Sequence, residues 1–174
     1  MRQFRELNRF LLCFFIGIFA GTVIANWLTG QFQAVPGIIG HYLNYREELA
    51  GNGWEIRLWQ ALVQQGLILL CLWLVGKSHN SQQGFQILTL IAGLWLGMEI
   101  AWLTCLYGLI GMWVFLKLVL PQGLGYAPVW CVMAWGSRRI GETFDRREIM
   151  FLTGWYLLGL LLEVLINPLF IIYL

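Results

Sequence analysis

Five long apolar runs, parted by short polar stretches, take up most of this chain. A helix needs about 20 apolar residues to cross the hydrocarbon of a bilayer. The runs at 10–28, 57–76, 85–106, 107–135 and 150–173 each supply roughly that length. The predicted fold class is therefore all-α: a polytopic membrane helix bundle with five transmembrane spans, forming one integral membrane domain over 1–174. Between the first two runs lies a polar-mixed outer segment, 29–55. There Ile38, Ile39, Tyr42, Leu43 and Leu49 fall on one side of a helix over 37–51, and Arg46, Glu47 and Glu48 face water. That division suits an interfacial helix or a loop helix packed on its neighbours.

The fourth run is interrupted by "LPQGLGYAP", residues 120–128. Pro121 and Pro128 each remove a backbone donor and clash with the preceding turn. Gly123 and Gly125 let the chain turn between them. Unpaired backbone at membrane depth is tolerated only inside protein or beside a wet cavity. The pattern thus predicts a broken fourth helix in two pieces, 107–120 and about 126–135. Gln122 and the freed carbonyls would point into the bundle or its mouth.

Charge sets the predicted orientation. With five spans, Arg2, Arg5, Arg9, Lys77, Arg138, Arg139, Arg146 and Arg147 all fall on one side, Arg46 and Arg57 on the other. Positively charged loops stay inside. This puts the N-terminus in the cytoplasm and the C-terminus outside, with the N-terminal apolar run read as an uncleaved first span rather than a signal peptide.

Composition changes the picture only in naming the solvent. The chain is 59% hydrophobic and 11% charged, against roughly 25% charged in soluble domains, so the lipid bilayer is a predicted partner. Ten tryptophans and six tyrosines suit helices anchored at the headgroups. No nucleic-acid partner is predicted. Cys13, Cys71, Cys105 and Cys131 stand alone in apolar stretches and read as small buried hydrophobes. His41 and His79 have no partner at ligand spacing. No catalytic, cofactor or metal site is predicted, and an intramembrane hydrolase lacks its nucleophile and base.

Three charges sit within spans: Glu99, Lys117 and Glu163. A charge at the bilayer centre costs about 2.5–3.5 kcal/mol on insertion scales. Glu99 and Lys117 would pair if the third and fourth spans form a tight hairpin, either to fix register or as a relay. Gln60 and Gln64 share a helical face, near Gln65. Gly17/Gly21 and Gly93/Gly97 form two GxxxG pairs, which favour close packing within the chain.

The stretch "YGLIGMWVFLKLVLPQGLGYAPVW", 107–130, resembles the signature region of the stage II sporulation protein M family, with its Leu-Pro-Gln-x-x-x-Tyr-x-Pro core. The matches are Leu120, Pro121, Gln122, Tyr126 and Pro128. This chain has Gly123 where members often carry asparagine. Upstream, "YREELAGNGWEIRLWQALVQQGLILLCLWLVG" resembles the family's outer segment entering its second span. The resemblance implies a non-enzymatic scaffold of the bacterial cytoplasmic membrane. Its partners would be membrane-associated proteins such as cell-wall hydrolases at the engulfing septum. The alternative, drawn from the broken helix with Glu99 and Lys117, is a small transporter or permease subunit.

Overall fold

A computed structural model describes residues 2–31, 53–136 and 145–172, and among them every long element is a helix. These are α1 (Arg2–Gln31), α2 (Trp54–Lys77), α3 (Ser81–Tyr107), α4 (Leu109–Gly136) and α5 (Arg146–Ile172). The predicted helix over 37–51, with His41 and Arg46, lies outside the described residues, as do Arg138 and Arg139. Among the described residues, four stretches are long and apolar enough to cross a membrane: Asn8–Thr29, Trp54–Lys77, Ser81–Tyr107 and Arg146–Ile166. α4 makes a fifth if its two bent arms count as one span. The protein is an all-α membrane helix bundle.

Lipid is required by what the helices leave uncovered. No more than 28% of any of the four stretches is buried within the chain. On α1, Phe15 is 63% exposed and Phe19 71%, although both are large and apolar. Hydroxyls inside the apolar stretches are satisfied locally. Thr89 Oγ1 donates to the Phe85 carbonyl at 2.7 Å, Thr104 to Ile100 at 2.6 Å and Thr153 to Ile149 at 2.8 Å. Such back-bonding leaves no bare donor to the acyl chains.

The helix ends are built from ordinary signals. At the start of α5, the Asp145 N–H donates to Glu148 Oε2 at 3.3 Å, and Asp145 Oδ1 accepts from the Arg146 N–H at 2.7 Å. The first bond is the glutamate half of a capping box, while the aspartate side chain serves the N–H of the next residue. α2 has Glu55 in its first turn and Lys77 in its last, matching the helix dipole. Lys77 Nζ sits 3.9 Å over the Trp73 ring, an anchor suited to the headgroup region. α3 and α4 are separated by a single residue, Gly108, with φ 61°, a conformation that favours glycine past a helix end.

The helices gather in two compact units. One holds α1, α3 from Gln83 and α4 as far as Phe115; the other holds α2, α4 from Leu116 and α5. In the first, the two GxxxG pairs meet each other. A Cβ on Gly17 would collide with the Leu90 carbonyl and crowd Gly93 and Leu94; one on Gly21 would collide with Leu94 and crowd Met98. Reciprocally, a Cβ on Gly93 would strike the Phe14 carbonyl, and one on Gly97 the Ile18 carbonyl. The partners advance together along both helices, so α1 and α3 run parallel.

The fit has a sequence basis in "GIFAGTVIA" (17–25) and "GLWLGMEIA" (93–101), which place glycine, glycine and alanine at matching positions. Ala25 and Ala101 are buried at the third position of each stripe. A four-residue repeat of small side chains lets the two backbones touch, where dispersion contact replaces the missing hydrophobic drive.

The break in α4 is real but displaced from its predicted place. The helix bends by 51° between Leu109–Lys117 and Val119–Ala134, while 120–128 stays helical with Pro121 and Pro128 inside it. The prediction of two pieces parted by a turn over 121–125 is corrected accordingly. Proline acts one turn upstream. It has no N–H for the carbonyl four residues earlier, and its ring pushes against that same carbonyl. For Pro121 that group belongs to Lys117, where the bend lies. Gly123, read as a turn former, has open space around it and remains within the helix.

The cysteines also differ from expectation. Cys13 is half-buried, but Cys71, Cys105 and Cys131 are exposed. In lipid an apolar thiol gains nothing special from the interior, so the soluble-protein burial preference does not carry over.

Gly17→Leu and Gly97→Leu should each destabilise the protein by about 1–3 kcal/mol through overpacking. Thermal unfolding in detergent, followed by circular dichroism, reads this as a lower midpoint. Gly123→Ala should be neutral or stabilise by up to about 1 kcal/mol. A Gly17→Leu protein as stable as Gly123→Ala would remove the packing claim.

Candidate functional site

The second unit is organised around a carboxylate on α5. Leu58, Ala61 and Gln65 lie on one stripe of α2. Tyr156, Leu160, Glu163 and Val164 lie on one stripe of α5. Ala61, Leu160 and Val164 form a buried cluster, with Leu58 and Tyr156 packed against it. The apolar contacts align the two helices so that their polar members meet: Gln65 Nε2 donates to Glu163 Oε2 at 3.0 Å.

α4 approaches from another side through glycine. A Cβ on Gly125 would collide with the backbone of Gly159, and one on Gly159 would lie 2.8 Å from the Tyr126 ring. Neither position tolerates a side chain. The close crossing brings Tyr126 over α5, where its hydroxyl donates to Glu163 Oε2 at 2.8 Å. The Tyr126 ring also stands 6.0 Å from that of Tyr156, tilted by 53°, a distance typical of attractive aromatic pairs. One carboxylate oxygen thus joins three helices.

The predicted residues divide into those that build this node and those that do not. Tyr126 is at its centre. Pro121, Gln122 and Pro128 lie on α4 within two turns of Tyr126 and are half-buried, and Leu120 is exposed. Lys117 is exposed at the bend and Glu99 is half-buried on α3; the two belong to different units. Of the glutamines, Gln65 makes the interhelical bond. Gln64 is exposed, and Gln60 Oε1 is buried without a hydrogen-bond partner. The face shared by Gln60 and Gln64 is therefore not the one that holds Glu163. The residues that sequence reasoning did not bring together are Gln65, Tyr126, Tyr156 and Glu163. The available signal was Glu163 itself, because an acid in a span needs a partner. Which donor would reach it depends on helix rotation.

Among the described residues, the polar side chains that meet at this node are a carboxyl, two phenols and an amide. Among the described residues no three His, Cys, Asp or Glu side chains gather to hold a metal ion. No family model, no curated protein and no solved structure matches the chain.

Tyr126→Phe deletes one interhelical hydrogen bond and should cost about 0.6 kcal/mol, no more than about 1.7. Gly159→Leu should cost more, about 1–3 kcal/mol, because it displaces the Tyr126 ring and parts α4 from α5. Unfolding in mixed micelles measures both. A Gly159→Leu protein no weaker than Tyr126→Phe would show that the crossing is not tight.

Proposed function

We propose that the chain is a non-enzymatic scaffold of the bacterial cytoplasmic membrane, holding membrane-associated partners such as peptidoglycan-remodelling enzymes in place, with engulfment during sporulation as the setting. The observation that carries this reading is the use to which the motif residues are put. Tyr126 spends its hydroxyl on Glu163 of the same chain, and the neighbouring Gly125 admits the backbone of Gly159. Both serve internal cohesion, which is what a rigid platform needs. The helical course of 120–128 takes away the open main-chain gap of the transport alternative and leaves it the intramembrane charges.

In this reading the N-terminus is cytoplasmic and the C-terminus outside, because Arg9, Lys77, Arg146 and Arg147 then share the cytoplasmic face. The outer segment 29–55 and the bent fourth span would be presented to membrane-bound partners.

The protein, affinity-tagged and extracted in mild detergent from its native cells, should co-purify with a peptidoglycan hydrolase. The hydrolase should remain after a wash of high ionic strength. Recovery of no cell-wall enzyme from cells remodelling their envelope would overturn the reading. A cysteine substituted for Lys77 should resist an impermeant maleimide in intact cells and react once they are opened; reaction in intact cells would invert the topology.

A further inference from the structure

We propose that Glu163 is a proton-binding site within the membrane. Tyr126 and Gln65 hold one of its carboxyl oxygens, and the other takes up and releases the proton. The proposal does not rest on the scaffold reading and could hold in a protein of any function.

Depth is the first support. At 1.5 Å per residue, Glu163 stands about 25 Å along α5 from Arg146, and Gln65 about 16 Å along α2 from Trp54. Arg146 and Trp54 open their helices and are exposed. Glu163 belongs to the apolar stretch Arg146–Ile166 and Gln65 to the apolar stretch Trp54–Lys77, so the carboxyl lies in the membrane-spanning part of both helices.

The second support is the arrangement of donors. Both hydrogen bonds fall on Oε2, at 2.8 and 3.0 Å. An oxygen that accepts two bonds has both lone pairs engaged, so Oε1 is the atom left to carry a proton. The same two bonds suit both states. In the carboxylate, Oε2 is a charged acceptor; in the acid, it is the carbonyl oxygen, and the proton is bonded to Oε1. Binding neutralises one negative charge, and release returns the proton to water.

The third support is that, among the described residues, the groups bonded to Glu163 carry no positive charge. From α2 the group is the Gln65 amide, which does not titrate. From α4 it is the Tyr126 phenol. On α5 itself Tyr156 stands near, its ring 6.0 Å from that of Tyr126. An acid paired with lysine or arginine is held as its anion, whereas neutral donors let it alternate. Bonds to the anion are the stronger ones. Protonation therefore loosens the junction of α2, α4 and α5, and release tightens it.

Dicyclohexylcarbodiimide tests this, because it enters lipid and reacts with protonated carboxyls. The acid O–H adds across a C=N bond, with oxygen to carbon and hydrogen to nitrogen, and the acyl group then shifts to nitrogen as a stable adduct. The full chain in detergent micelles is treated over a pH series, and the adduct is mapped by peptide mass spectrometry. Glu163 should be modified at acid pH, and the modification should fall at least tenfold toward alkaline pH. Tyr126→Phe and Gln65→Leu each remove a bond that favours the anion, so each should raise the yield of adduct at Glu163 severalfold at one fixed pH. The yield at Glu148 should not change. Glu163→Gln, which keeps an acceptor for Tyr126, should fold and yield no adduct at that position. An absence of adduct on wild-type Glu163 at every pH would overturn the proposal. So would an unchanged yield of Glu163 adduct in whichever of the two donor variants folds.

Discussion

Close backbone contact in lipid is the constraint on which the rest depends. Acyl chains are as apolar as leucine, so helices gain nothing by hiding apolar side chains from them. What remains is dispersion at short range and hydrogen bonds between spans. The first unit uses dispersion. Gly17 and Gly21 on α1 receive the backbone of α3, and Gly93 and Gly97 return the fit. The second unit uses both. Gly125 against Gly159 gives the close approach, and Glu163 supplies the bonds. The broad exposure of large residues such as Phe19 and Trp113 is the other side of the same fact, because those side chains already have a suitable solvent.

The prolines act within that scheme rather than against it. Pro121 leaves the Lys117 carbonyl without its helical donor, and α4 bends there by 51°. A stretch rich in helix breakers nonetheless stays helical, because a bilayer penalises any backbone group that loses its partner. The glycines of the same stretch have separate roles. Gly125 is a contact surface, while Gly123 faces open space. A soluble chain with this sequence would have water to satisfy a turn.

The carboxylate is where stability and chemistry meet. An isolated charge on α5 would resist insertion, and two donors on one oxygen offset part of that resistance. Each such bond is worth only about 0.6 kcal/mol on average between membrane helices. Glu163 therefore contributes more by selecting which faces of α2, α4 and α5 meet than by raw strength. The same modest energy is what allows a proton to alter the junction.

Much of the fold was legible because hydrophobic length speaks directly of membrane thickness. The runs at 57–76 and 85–106 became α2 over Trp54–Lys77 and α3 over Ser81–Tyr107, and the GxxxG pairs found each other within the chain. The candidate site was legible only in part. Tyr126 stood out through its motif and Glu163 through its cost, yet nothing in either run says that they touch. Residues 37 apart on different helices meet only when both helices are rotated to suit, and rotation in an apolar medium leaves little periodic trace. Sequence by itself determined the solvent, the number and length of the apolar segments, and the presence of a kink, since these follow from local composition and proline chemistry. Tertiary structure alone decided where the kink falls, which glycines are contacts and which donors hold Glu163, because those depend on backbones brought within van der Waals reach.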